Sequence, residues 1–207
     1  MTRLGRAVRS IAVVVAAFAL LLAACNGSET HTGSSDLPAP EDTTGSPENP
    51  GTIPQGNFLT TPGAAQRAID AIVRELGPRR VRYVNMYDSY VIFETQDPAK
   101  PENIDRYTYR YGRVGDFEPV NVSGQLQEDI EADLFSITEV NWGAIAGLSE
   151  TFLAQTELEG GKVVLASVER NPPYQPDVRI DMAMNGTRRN ASLQAAGDGT
   201  LQNIRVY

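Results

Sequence analysis

The chain has 207 residues, with 18 Lys+Arg against 26 Asp+Glu, a net charge of −8 at pH 7, and a single cysteine and a single histidine. One thiol excludes an internal disulfide. One imidazole leaves no His/Cys set for zinc and no Ser-His-Asp or Cys-His arrangement, and the acidic balance argues against a nucleic-acid binder.

The first element is a basic start, Arg3, Arg6 and Arg9, followed by an uncharged apolar run from Ile11 to Ala24. That pattern describes an export signal. The run is shorter than the roughly 20 residues a spanning helix needs. It closes on Leu22-Ala23-Ala24-Cys25, which resembles the lipobox of bacterial lipoproteins, in the style of actinobacterial ones. The resemblance implies that residues 1–24 are a cleaved signal peptide. It also implies that Cys25 carries the lipid (diacylglyceryl, with palmitate-type chains) and becomes the N-terminus on the extracytoplasmic face of the cell membrane. Two acyl chains anchor stably where one does not. Loss of Arg3, Arg6 and Arg9 leaves 15 cations against 26 acids, a net −11, so the lipid rather than protein charge is expected to hold the membrane.

Residues 25–57 form the lipidated cysteine and a linker rich in Gly, Ser, Thr, Pro and acids. So little apolar surface predicts disorder and a reach of roughly 30 Å. Residues 58–122 read as a first α/β repeat. Ala65, Ala68, Ile69, Ile72, Val73 and Leu76 recur at helical spacing, with Thr60 or Thr61 as cap, Pro62 in the first turn and Gly77-Pro78 as the stop. Val81–Tyr87 and Tyr90–Thr95 read as strands around an Asp88-Ser89 turn, then a proline loop, Gln96–Asn103. Ile104–Tyr111 and Val114–Val122 read as strands joined by Gly112-Arg113.

Residues 123–140 are a connector with a short helix over Gln125–Phe135, and residues 141–207 a second α/β repeat. Its helix spans Asn141–Glu157, capped by Asn141 and closed by Gly160-Gly161. Strands follow at Lys162–Glu169, Val178–Met184, Arg189–Ala195 and Leu201–Tyr207, with a second proline loop, Asn171–Asp177, and hairpin turns at Asn185-Gly186 and Gly197-Asp198-Gly199. The fold class is therefore α+β, two tandem helix-plus-antiparallel-sheet repeats. A shift of 73 residues pairs Tyr107, Tyr109 and Tyr111 with Ile180, Met182 and Met184, which points the tyrosines at a core. From Thr60 to Tyr207 the layout resembles tandem PepSY-like modules and the secreted β-lactamase-inhibitory proteins.

No catalytic set emerges. His31 lies in the linker, no glycine-rich phosphate loop opens a helix, and no Ser-x-x-Lys leads to Lys100 or Lys162. The acidic run Glu128, Asp129, Glu131 and Asp133 lacks the pattern of a calcium loop and reads as a solvated face. Arg79, Arg80, Arg82 and Arg188, Arg189 would ring an anion site if the halves stacked. The expectation is a noncatalytic binding or protein-interaction module of the cell envelope, inhibitor-like in one version, working through an uncovered sheet face or the two proline loops. It needs no cofactor and no metal, binds no nucleic acid, and has the membrane (through its anchor) and an envelope protein as partners. The alternative is a carrier of a lipid or other apolar ligand.

Overall fold

A computed structural model describes residues 56–207. The predicted signal peptide, Cys25, His31 and nearly all of the linker lie outside these residues.

Helix α1 (Ala64–Leu76) leads into strands β1 (Arg80–Met86), β2 (Tyr90–Gln96), β3 (Ile104–Arg110), β4 (Arg113–Val114) and β5 (Glu118–Pro119). Helix α2 (Gln127–Asp133) and β6 (Phe135–Ser136) form the connector. A 3-10 turn (Trp142–Ala144) opens α3 (Ile145–Thr156), and β7 (Lys162–Asn171), β8 (Gln175–Asn185), β9 (Asn190–Ala196) and β10 (Leu201–Val206) complete the chain. The mixed α+β class is as expected.

All strands join one antiparallel sheet in the order β10-β9-β8-β7-β1-β2-β3-β4, with β5 on β3 and β6 on β1. The first long strand of each half therefore meets the other at the centre, Val84 opposite Val168, and the halves lie side by side rather than stacked. The topology also corrects the 73-residue shift. That shift sets β3 against β8, although β3, the third strand of its half, holds the place of β9. Period-two alternation identifies a face, not a strand.

The apolar stripe of α1 buries Ala65, Ala68, Ile69 and Ile72, and α3 buries Ile145, Leu148 and Phe152. Both pack on one sheet face with Val84, Met86, Val91, Phe93, Val168, Met182 and Leu193, all at or below 1% exposure. Each such large side chain contributes about 1.5–3 kcal/mol. Trp142 is sealed in the same core and donates Nε1–H to the Ile137 carbonyl at 2.8 Å, which satisfies its polar edge. The Ser149 hydroxyl donates to the Leu59 carbonyl at 2.6 Å and ties α3 to the segment before α1.

Several local expectations change. Neither Thr60 nor Thr61 caps α1: Gly63, with φ of 71°, precedes the helix, and Asn57 Oδ1 accepts the Leu59 and Thr60 amides instead. Asn141 makes no side-chain cap either; its Nδ2 donates to the Asp198 carbonyl. Val114–Val122 is not one strand, because Gly115-Asp116-Phe117 interrupts it between β4 and β5. The second proline loop is tighter than expected, since β7 and β8 stay paired as far as Asn171 opposite Gln175. Of the three tyrosines, Tyr109 is fully buried, Tyr107 is half-buried and stacked on Phe93, and Tyr111 is 72% exposed. Tyr111 has left the strand at a φ of 54° beside Gly112 at 80°, as the tight turn into β4 requires.

The strand directions define two rims. The upper rim carries the turns at residues 87–89, 111–112 and 186–189; the lower rim carries 97–103, 172–174 and 197–200.

Candidate functional site

The helices α1 and α3 leave the second sheet face to the even-numbered residues of β2 and β3 and their neighbours across the sheet. The register aligns them in rows. One row runs Arg106, Glu94, Tyr83, Glu169, Arg179 across β3, β2, β1, β7 and β8. The next runs Thr108, Ile92, Asn85, Ser167, Asp181, Gln194, Asn203 from β3 to β10. The face is thus charged in one row and rich in amides and hydroxyls in the next.

Glu94 is the centre of the charged row. Only 3% of the residue is exposed. Its carboxylate accepts Arg106 Nη2 at 2.8 Å, the Tyr83 hydroxyl at 3.2 Å and Arg82 Nη1 at 3.4 Å. The convergence comes from a bulge in β1. Val81 pairs with Thr95 and Tyr83 with Glu94, so Arg82 is the extra residue, and a bulge re-aims side chains in this way. Burial, then Glu94, pushes the Tyr83 phenol up, against the pull of Arg106. The hydrogen bond to Glu94 raises Arg106 further above its usual value.

Helix α2 closes the lower end of this face. Ile130 and Leu134 pack on Ile104, an even-numbered β3 residue, with Val120 and Val122, forming a second small core. Glu131 accepts Arg80 Nη1 at 2.5 Å and Gln96 Nε2 at 2.5 Å, and these bonds hold its carboxyl below the usual range. Asp133 lies 3.7 Å from Arg82 Nη2. The expected acidic run is therefore split: Glu131 and Asp133 face arginines of β1, while Glu128 and Asp129 are exposed.

Between α2 and the turn end of the β7–β8 hairpin lies a cavity of about 240 Å³, lined by Arg82, Tyr83, Asp133, Glu169, Arg170 and Asn171. Arg170 Nη2 donates to the Leu134 carbonyl. The Nε–H groups of Arg82 and Arg170 are buried without a partner. Glu169 is half-buried, and burial, then Asp181, raises its carboxyl against the opposing pull of Arg179. Arg179 and Asp181 pair at 2.6 Å. The exposed ring of Tyr174 stands at the hairpin tip, 89% accessible.

Glu94 holds three donors, from Arg82, Tyr83 and Arg106, at one carboxylate. The arrangement sets fixed charges and hydrogen-bonding groups side by side on the open face. The arginine groups named from sequence are not brought together: Arg80 and Arg82 lie toward the lower rim, Arg188 and Arg189 at the upper one. Side-by-side halves replace the stacking that would have joined them. Asp198 sits in its hairpin turn, where the Thr200 amide holds its carboxyl down. Sequence reading named Arg82 and missed Glu94, Tyr83, Glu169 and Arg170 as one group. Among the described residues no set of three or more His, Cys, Asp or Glu could hold a metal, and no helix is long and apolar enough to cross a membrane. A larger cavity, about 440 Å³, lies on the helical side against Pro62, Ala146 and Leu153.

No family model matches the chain, and no curated protein matches it in sequence. A solved structure of a candidate lipoprotein from Clostridium difficile aligns with a TM-score of 0.48 and 8% identity, over 68% of this chain and 90% of that chain.

Proposed function

We propose that this chain is a lipid-anchored, extracytoplasmic protein of the bacterial cell envelope that acts as a noncatalytic binding module through its open sheet face. The lipobox Leu22-Ala23-Ala24-Cys25 supports the anchor. The observation that carries the binding role is the row Arg106, Glu94, Tyr83, Glu169, Arg179, held rigid by cross-strand pairing on a face that α1 and α3 leave bare. A rigid, charged, partly dry surface with an exposed tyrosine beside it has the composition of a protein-binding patch, in which arginine and tyrosine dominate the energetics. The partner is an envelope protein offering charged and hydrogen-bonding groups.

Two measurements test the reading. Metabolic palmitate labelling is expected to mark the chain and to be lost in Cys25→Ser; an unlabelled parent chain would remove the anchor. A photo-crosslinking residue placed at Asn85 or Ser167 is expected to trap a defined partner in cells, whereas one at Gln66 on α1 is not. Equal trapping from both faces, or none from the open face, would remove the binding site.

A further inference from the structure

The acidic chain conceals a basic, aromatic pole. The upper rim gathers Arg110, Arg113, Lys162, Arg188 and Arg189 at the ends of five strands or their turns. Its tyrosines form a cluster: Tyr87 stacks on Tyr90 with centroids 4.4 Å apart, and the Arg110 guanidinium lies 5.8 Å from the Tyr90 ring centre and 4.8 Å from that of Tyr111. Tyr111 is 72% and Tyr207 66% exposed. The acids at or beside this rim are Asp88, Glu157, Glu159 and Glu75, whose Oε2 accepts the Val114 amide at 3.0 Å next to Arg113. Asp88 reaches Lys162 only at 4.0 Å and Glu159 reaches Arg188 only at 3.9 Å. Among the described residues Arg110 and Arg113 pair with no carboxylate.

The lower rim is the reverse. Glu102, Glu128, Asp129, Asp177 and Asp198 face solvent there or on α2, Asp97 is half-buried beside them, and the cations among them are Lys100 and Arg79, whose Nε–H donates to the Leu76 carbonyl at 2.9 Å. The Arg80 guanidinium is already taken by Glu131.

The described chain begins at the upper rim. The Phe58 amide donates to the Asp88 carbonyl at 2.9 Å, so the segment arriving from Cys25 meets the domain at the Tyr87–Ser89 turn. Cys25 and Gly56 are 31 chain steps apart (56 minus 25), with thirty residues between them. Fully extended they would span about 110 Å, so their length alone does not decide which rim faces the bilayer. Charge and side-chain chemistry do. Tyrosine rings and arginines are the residues that settle among lipid headgroups, and cations are drawn to anionic lipid while acids are repelled.

We infer that the upper rim, centred on Tyr90, Arg110, Tyr111 and Arg113, is a docking surface for an anionic phospholipid bilayer. This orientation stands the strands upright on the bilayer, so that the open sheet face points sideways and the Tyr174 hairpin lies farthest from the membrane, and it rests on the anchored reading only for its setting in the cell. The lipid tether supplies the attachment, and the rim supplies the orientation.

The test uses the mature chain from residue 25 with Cys25→Ser, so that no acyl chain contributes. Vesicles of phosphatidylcholine and phosphatidylglycerol are compared with phosphatidylcholine alone at low salt. Binding to the anionic vesicles alone is expected, weakening with salt. Arg113→Gln and Arg188→Gln should each weaken it about five-fold, while Lys100→Gln at the opposite rim should leave it unchanged. No binding to the anionic vesicles, or an equal loss in Lys100→Gln, would overturn the proposal. A second readout uses the lipidated chain in nanodiscs with a gadolinium-bearing headgroup lipid. Amide signals at 87–90, 111–113 and 186–189 should broaden, and those at 98–102 and 172–176 should not. Uniform or reversed broadening also overturns it. A failed palmitate experiment leaves the vesicle result standing, and a failed vesicle experiment leaves the anchor standing.

Discussion

Strand β2 contrasts the two faces of the sheet within seven residues. Val91 and Phe93 are fully buried under the helices, while Ile92, the residue between them, sits half-exposed among Asn85 and Thr108 on the open face. Glu94, next in line, lies on the open side yet is nearly as buried as Phe93. One face is closed by apolar contact and the other by ion pairing, so the first is tuned for stability and the second for presenting fixed charges. Removing Phe93 should break this contrast most severely. Phe93→Ala deletes a ring stacked on Tyr107 at 5.6 Å and should cost about 3–5 kcal/mol. Ile92→Ala, one residue along, should cost less than a third of that. Denaturant unfolding of the two variants measures the difference, and equal losses would mean that the open face is packed as a core.

Glu94 tests the ionic side of the comparison. Glu94→Gln leaves Arg82 and Arg106 close together with no carboxylate between them, and should cost about 2 kcal/mol, the scale of hydrogen bonds to charged groups. Adding Arg106→Gln should recover part of that loss, because the second change removes a cation that the first had stranded. A double variant as weak as the sum of the singles would show that Glu94 and Arg106 act independently.

The two faces were not equally legible in the sequence. Helical spacing from Ala65 to Leu76 identified α1 and its buried stripe, because a helix is encoded by neighbours in the chain. Strand alternation likewise identified β1, β2, β3 and the β7–β10 series. The open-face site depends on register between strands that are distant in sequence: Tyr83 faces Glu169 across 86 residues (169 minus 83), and no local pattern encodes that. The bulge at Arg82 was hidden for the same reason, since it exists only relative to β2. Helix α2 was foreseen at Ile130 and Leu134, but not that they would cover Ile104 on the face opposite the main core. The split of Val114–Val122 could have been suspected from Gly115 and Pro119, since neither suits a continuous strand.

The smallest effect is a pH dependence confined to the open face. The folded structure raises the Glu169 carboxyl, first through burial and then through Asp181. In the window above the ordinary glutamate value of 4.5 and below the raised folded one, the native state holds a proton that the unfolded state has released. Stability contributed by this group is present at low pH and falls as pH rises through that window. Glu169→Gln abolishes the titration while keeping the shape, so the variant should be more stable than the parent at neutral pH, with the advantage shrinking toward acid. Arg179, Asp181 and Asp133 face the same group and are the same in both proteins, so the comparison isolates one carboxyl. Thermal melts of the pair across this range measure it. A stability difference that stays constant with pH would show that the Glu169 carboxyl titrates normally, and that the charged row is wetter than its burial implies.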